Sequence, residues 1–167
     1  MQLDITKHFL CIGRLGTNYL LIQPTHRAYR VIAALNGKPP SEDNSGNWLH
    51  TKIDITASSF RGTYATHLHI KDFTRFRDEL IELNAAVSRR ETTNRTAAFR
   101  SPHGTLCLTI EANLAEYYTV TCEASDGAGS NALLLFALKF DRSEMPDIVR
   151  SLNLMLAEFP LNAESHT

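Results

Sequence analysis

The chain has 167 residues, 43% of them hydrophobic and 21% charged, which suits one globular domain whose core needs no metal or disulfide. A formal net charge of −1 argues against non-specific nucleic-acid binding, because that function requires a basic surface. Three scattered cysteines without a CxxC pair indicate free thiols. The sequence starts without a signal-peptide pattern, which predicts a cytoplasmic protein. It also lacks the run of about 20 apolar residues that a transmembrane helix needs, so we predict that it does not enter the membrane.

Short apolar runs near the start of the chain predict three strands. Residues 9–14 and 18–23 are separated by a glycine turn and predict a hairpin, and residues 28–35 follow the break at Pro24 as a third strand. Residues 36–46 are rich in Gly, Pro, Ser and Asn, so we expect a surface loop there.

Residues 47–57 predict a half-buried strand, because apolar and polar side chains alternate with a period of two. Trp48, the only tryptophan, falls on the polar face. A large aromatic in that position is either covered by another element of the chain or available to a partner. The two faces are Leu49, Thr51, Ile53, Ile55 and Ala57 on one side and Trp48, His50, Lys52, Asp54 and Thr56 on the other.

A second alternating strand, at residues 62–70, predicts an antiparallel hairpin with the first. Residues that lie opposite each other in such a hairpin must point to the same side, which limits the register. The register we predict pairs Ile53 with Thr66, Ile55 with Tyr64, His50 with His69 and Lys52 with His67.

Two amphipathic helices are predicted, at residues 71–84 and 141–159, from apolar side chains that recur at spacings of three and four. Pro160 ends the second helix, and we expect a flexible tail over residues 161–167. The first stripe consists of Phe73, Phe76, Leu80 and Leu83, and the second of Met145, Ile148, Val149, Leu152, Met155, Leu156 and Phe159.

Four further strands are predicted between the two helices. The last of them, residues 132–140, is apolar on both faces, so we expect it to be central and covered on both sides. The order βββββαββββα predicts an α+β fold, with a mostly antiparallel sheet or open sandwich and two helices, in a single domain over residues 1–160. The other three strands are predicted at residues 96–100, 105–111 and 117–124.

Three histidines give the chain a candidate metal site. His50, His67 and His69 share a predicted face, and three imidazoles are a sensible donor set for zinc, although any alternating strand with two histidines produces a His-x-His spacing. A metal-binding or enzymatic domain built on this face is therefore one alternative, and a small-molecule-binding domain with a pocket between sheet and helices is another. Because no Gly-x-Ser-x-Gly motif occurs and the cysteines look like core residues, we predict no catalytic residue, cofactor or metal.

A protein-binding surface is the main functional hypothesis. Trp48, His50, His67 and His69, together with Tyr117, form its candidate residues, because Trp and Tyr are over-represented at binding hot spots. The alternative is that a helix of the same chain crosses this face and makes Trp48 part of the core. A homodimer would bury the same aromatic face.

Asn47-Trp48-Leu49 at the start of a strand, and Phe159-Pro160 at the end of the last helix, resemble the WapI-like immunity proteins, the cytoplasmic antidotes of WapA-type polymorphic toxins. The order of elements between about residue 43 and residue 160 is also similar. The resemblance implies a non-enzymatic protein that binds and neutralises a toxin domain made by its own genome.

The resemblance also implies a role for acidic side chains. Many such toxins are nucleases, and their inhibitors often present an acidic surface to a basic active site. Residues 111–126 contain four acids and no Lys or Arg. Within this segment we expect Glu111, Glu116 and Glu123 to contact the toxin.

Overall fold

A computed structural model describes residues 8–32, 41–91, 95–113, 117–127 and 132–162. In this part of the chain, four antiparallel strands followed by a helix occur twice. The first half contains β1 (Leu10–Arg14), β2 (Asn18–Ile32), β3 (Ser41–Ala57), β4 (Phe60–His69) and α1 (Ile70–Ser88); the second contains β5 (Thr96–Arg100), β6 (Leu106–Ala112), β7 (Tyr117–Ser125), β8 (Leu133–Asp141), a 3₁₀ turn (Arg142–Glu144) and α2 (Met145–Glu158).

Each half builds one sheet, which confirms the predicted α+β class. Sheet one has the strand order β1-β2-β3-β4 and sheet two the order β5-β6-β7-β8. The predicted order βββββαββββα is corrected by one strand, because the runs on either side of Pro24 belong to a single strand, β2. Its register shifts after Pro24 and again after Ala28. Such bulges accommodate a residue that has no N–H for the ladder, so the proline does not end the strand.

One hydrophobic core joins the inner faces of both sheets to both helices. Phe99 of β5 contacts two rings of α1, with ring centroids 5.0 Å from Phe73 and 5.8 Å from Phe76. Within sheet two, the rings of Tyr118 and Phe140 stack with centroids 5.1 Å apart. The apolar stripe that predicted α1 is therefore the face by which this helix packs onto the sheet.

The β3–β4 hairpin has the predicted faces but a register two residues away from the predicted one. Ala57 pairs with Phe60, so only Ser58 and Ser59 form the turn, and Ser58 adopts a positive φ of 56°. Two-residue hairpins favour positive φ in this position, because that geometry matches the twist of the strands. Ile53 consequently lies opposite Tyr64 rather than Thr66. A shift of two residues leaves every side chain on its original face.

The strand β8 is not the central strand that its sequence predicts. It is hydrogen-bonded only to β7 among the described strands and forms an edge of sheet two. Leu133 and Leu135 are 57% and 65% exposed, although a strand with two apolar faces is typical of a sheet interior. The expectation of a covered central strand is therefore wrong, and an apolar surface lies at this edge.

The segment that follows α2 is fixed to β3 by the side chain of Asn47, which is fully buried. Its Oδ1 accepts from the Asn162 N–H at 2.8 Å, and its Nδ2 donates to the Asn162 carbonyl at 3.2 Å. The Arg27 guanidinium donates to the carbonyls of Gly46 and Pro160, the latter at 2.6 Å. We call these contacts the Asn47 clasp; they join the end of the second half to the first half.

Replacement of Asn47 by alanine is expected to lower the free energy of unfolding by about 1–3 kcal/mol, because it removes both hydrogen bonds of a buried amide. Urea-induced unfolding followed by circular dichroism measures this change. The matched control is Asn153→Ala, because Asn153 is exposed on α2; its unfolding free energy is expected to stay within about 0.5 kcal/mol of the native value. Equal urea midpoints for the native protein and Asn47→Ala would show that the clasp contributes no stability.

Candidate functional site

Six aromatic side chains form a contiguous patch on the outer face of sheet one. Trp48 lies edge-on to His69, with ring centroids 5.0 Å apart, and stacks on His103 at 6.0 Å. His50 stacks on His26 at 4.9 Å and lies edge-on to His67 at 5.4 Å. We call this surface the histidine–tryptophan patch, and its members are His26, Trp48, His50, His67, His69 and His103.

Strand register explains why these rings meet. Trp48 lies opposite His69, and His50 lies between His26 on β2 and His67 on β4. The predicted pairs, His50 with His69 and Lys52 with His67, are corrected by the two-residue shift in register, which keeps the same residues on the same face. His26 and His103 were missed, since His26 follows a bulge and His103 reaches the patch from the loop between β5 and β6.

Four polar contacts, three of Thr25 and one of Lys71, hold parts of the patch in place. The Thr25 hydroxyl lies 2.9 Å from Nδ1 of His26 and 3.0 Å from Nδ1 of His50, and it also donates to the His50 carbonyl. Nδ1 of His69 accepts from the Lys71 N–H at 3.2 Å and so caps the start of α1. The patch is therefore anchored to both a strand pair and a helix terminus.

Trp48 is neither a fully buried core residue nor a fully exposed one. Its ring contacts His69 and His103. Of these two, His103 is exposed and stands on a loop. Trp48 is therefore shielded on one side by an exposed loop residue rather than by a helix of the core.

The histidines do not have the geometry of a metal centre. His50 and His67 lie edge-on with centroids 5.4 Å apart, and Nδ1 of His69 is occupied by the Lys71 N–H, whereas zinc requires ligand nitrogens that converge to about 2 Å from one point. Among the residues that the structure describes, no group of three or more His, Cys, Asp or Glu is placed to hold a metal ion. The geometry thus gives the zinc alternative for His50, His67 and His69 no support.

The three cysteines are free thiols whose environment disfavours the reactive thiolate. Burial raises the pKa of Cys122 to about 12. Burial, followed by the nearby charge of Glu144, raises the pKa of Cys11 to about 11. Burial also raises the pKa of Cys107, with a further contribution from Glu123. At neutral pH these thiols are protonated, so they resemble core residues more than nucleophiles.

A second candidate surface is the outer face of sheet two. Glu111 and Glu123 are exposed on this face, and Tyr117 shares it. The Lys139 ammonium lies 4.8 Å from the centroid of the Tyr117 ring, within cation–π distance. Leu135 lies directly opposite Glu123 on the neighbouring strand, so exposed apolar and acidic groups are adjacent here.

The predicted contact residues therefore divide between two sheets. Trp48, His50, His67 and His69 belong to sheet one, whereas the acidic residues and Tyr117 belong to sheet two. Glu116 lies outside the described residues. The two exposed leucines of β8 were missed because their apolar alternation predicts burial, and only the position of the strand in the sheet shows otherwise.

Two neighbouring cavities lie where the end of β1 approaches α2 and β8. One has a volume of about 440 Å³ and is lined in part by Cys11, Arg14 and Glu144. The other has a volume of about 370 Å³, shares Arg14 and Glu144, and is also lined by Tyr117 and Lys139. Both cavities are lined by charged groups of both signs, and the Cys11 thiol is neutral at pH 7. The lining therefore favours no particular class of ligand.

Comparisons with known proteins identify the family. A chain in the crystal structures of Trypanosoma brucei MRP1/MRP2 aligns over 92% of this chain and 86% of its own length, with a TM-score of 0.48 and 13% identity, which is too low to transfer a property. No curated protein matches the sequence. Among the described helices, none is long and apolar enough to cross a membrane. The family model for immunity protein WapI-like matches residues 11–160, and the chain therefore belongs to the WapI-like immunity protein family.

Proposed function

We propose that this protein is a cytoplasmic, non-catalytic antidote that binds the toxin domain of a polymorphic toxin from its own genome and blocks its activity. The observation that carries the proposal is the family match over residues 11–160. Two features of the molecule favour binding over catalysis. The cysteine thiols are held neutral, and the exposed candidate residues lie on sheet faces rather than in a cleft.

The outer face of sheet two fits a basic partner. Glu111 and Glu123 are exposed there, the Lys139 ammonium is placed over the Tyr117 ring, and the exposed Arg100 of β5 shares the face. Acidic groups arranged in this way accelerate association with a basic toxin through long-range attraction and fix its orientation. We propose that Glu111, Glu116, Tyr117 and Glu123 contact the toxin.

The histidine–tryptophan patch is the second proposed contact surface. Trp48 offers a large, rigid ring, and its neighbours His50, His67 and His69 offer hydrogen-bonding groups at its border. This combination of an aromatic anchor with a polar rim is typical of protein interfaces.

A binder and an enzyme differ in the stoichiometry of protection. The probe is the C-terminal domain of the large secreted protein that the proposal expects the gene immediately upstream to encode, and its toxic activity is titrated with the purified antidote. A binder is expected to abolish that activity at a molar ratio of one to one and to elute with the toxin domain as a complex in size-exclusion chromatography. Complete protection by a small fraction of an equivalent would indicate an enzyme instead. An upstream gene of metabolic function would contradict the proposal.

The double variant Glu111→Gln, Glu123→Gln is expected to slow association with the toxin domain by about tenfold and to weaken its dependence on salt, because long-range attraction is lost. Stopped-flow or surface plasmon resonance at two salt concentrations measures both effects. The control is Glu82→Gln, Glu158→Gln, which neutralises two exposed acids on the helices. Equal losses in the two double variants would exclude a specific role for sheet two.

Truncation of Trp48 to alanine is expected to weaken toxin binding roughly 30-fold, which corresponds to about 2 kcal/mol for a hot-spot residue. Isothermal titration calorimetry measures the affinity, and thermal unfolding of the free variant measures the loss of packing. A large loss of affinity with a small change in melting temperature identifies Trp48 as a contact. Unchanged affinity with a large drop in melting temperature would make it a packing residue only.

A further inference from the structure

We propose that the free edge of β8 is the docking edge for the toxin domain, and that an extended segment of the toxin pairs with it as a fifth strand of sheet two. The segment has side chains that alternate between apolar and basic. This inference rests on the proposed function and specifies the edge that the partner uses and the chemistry of what binds there.

Backbone hydrogen bonds determine which groups of β8 point outward. The Ser125 N–H donates to the Thr105 carbonyl at 3.0 Å, and the Asn113 N–H donates to the Tyr117 carbonyl at 2.9 Å. The odd-numbered residues of β7 therefore bond to β6, and the even-numbered ones bond to β8. Given the β7–β8 register, the N–H and C=O groups of the odd-numbered residues of β8 face away from β7: Leu133, Leu135, Ala137, Lys139 and Asp141.

The outward backbone groups at the two edges of sheet two differ in their hydrogen-bond partners. At the β5 edge, the outward N–H of Ala98 donates to the Glu79 carboxylate of α1 at 2.7 Å, and the same helix covers Phe99. At the β8 edge, no described residue forms a hydrogen bond with the backbone of residues 133–137 beyond the ladder to β7. β1 lies near β8, and Arg14 at the end of β1 lines a cavity with Lys139.

The first part of the exposed edge, residues 133–138, carries none of the charges or prolines that usually protect one, whereas Lys139 and Asp141 place charged side chains at its far end. Residues 133–138 contain no charge, proline or glycine, and Leu133 and Leu135 are more than half exposed. An apolar edge strand of this kind pairs readily with another chain, and proteins normally block it. Unprotected backbone groups and alternating apolar side chains are the two elements that strand addition uses, the first for affinity and the second for specificity.

Charge at this edge favours a basic partner. Glu123 lies opposite Leu135, and Asp126 follows directly on β7; both are exposed. A strand added next to Leu135 therefore meets apolar contacts bordered by acids, which suits alternating apolar and Lys or Arg side chains. A second copy of this chain is the poorer fit, because a two-fold pairing of β8 with itself would bring the acidic borders of both copies onto one sheet face.

Amide hydrogen exchange tests the geometry residue by residue, with the purified toxin domain of the upstream gene as the probe. In the free protein, the outward amides of Leu133, Leu135 and Ala137 are expected to exchange rapidly, whereas those of Leu134 and Phe136 are already protected by the ladder. On addition of the toxin domain, the three outward amides are expected to slow at least about 100-fold, because they acquire hydrogen-bond partners. Unchanged exchange at all three in a formed complex would overturn the proposal.

Two variants test the same edge through affinity. Leu135→Lys is expected to weaken toxin binding at least about 30-fold, because it replaces an apolar contact with a charge that repels a basic segment. Ala137→Pro removes one outward N–H without breaking the ladder to β7, and a loss of at least about tenfold is expected. The control is Phe60→Lys, which alters a side chain that is 67% exposed at the turn of sheet one and should stay within about twofold.

Circular dichroism and thermal unfolding of each variant identify losses that come from misfolding. If the native chain binds the toxin domain and folded Leu135→Lys and Ala137→Pro bind it equally well, the β8 edge is not the docking edge, although the proposed function stands. If the native chain does not bind the toxin domain, both proposals fail. Concentration-dependent protection of the outward amides without toxin would assign the edge to a second copy and would also overturn this proposal.

Discussion

The Asn47 clasp joins the two halves of the molecule directly beside the histidine–tryptophan patch. A fully buried amide forms reciprocal hydrogen bonds with Asn162, and Arg27 bonds to the carbonyls on both sides of the junction. Because a buried amide is costly unless it is satisfied, these contacts fix the position of Asn47 in β3 relative to the end of α2. Trp48 is the next residue, so the clasp lies directly beside the patch. The two short motifs that resemble the family, at residues 47–49 and 159–160, meet here, which gives them a structural role.

The repeated order of four strands and a helix gives the molecule two outer sheet faces with different chemistry. In sheet one, strand pairing gathers Trp48 and histidines from β2, β3 and β4. In sheet two, the corresponding face combines Glu111 and Glu123 with exposed leucines of β8. The inner faces are alike, since both contribute to one apolar core. The need for a common core constrains the inner faces, whereas the outer faces are free to differ and to specialise for contacts with a partner.

Local pattern was sufficient to predict much of this fold. The strand at residues 96–100 was predicted with its observed bounds, and the two faces of β3 were assigned correctly, because a period of two depends only on neighbouring residues. Three features depend on contacts with residues distant in the sequence, so the local pattern of side chains could not predict them. The hairpin register was determined by the geometry of the turn at Ser58, β2 continued past Pro24 through a bulge, and His103 joined the patch from a distant loop. Of the candidate site, the composition of each face was predictable, but its assembly was not.

The prediction for β8 failed for a reason that bears on function. Apolar side chains on both faces of a strand predict burial on both faces, and that inference assumes that the chain supplies all of the covering elements. The described chain covers one face of β8 and pairs one of its edges with β7. At the opposite edge of the same sheet, the Glu79 carboxylate of α1 accepts a hydrogen bond from the outward N–H of β5, so there the chain itself covers the edge. A surface that the described fold does not cover fits the proposed function of binding a toxin domain. Under that proposal, the sequence pattern of β8 is that of an interior strand whose remaining contacts come from a second protein.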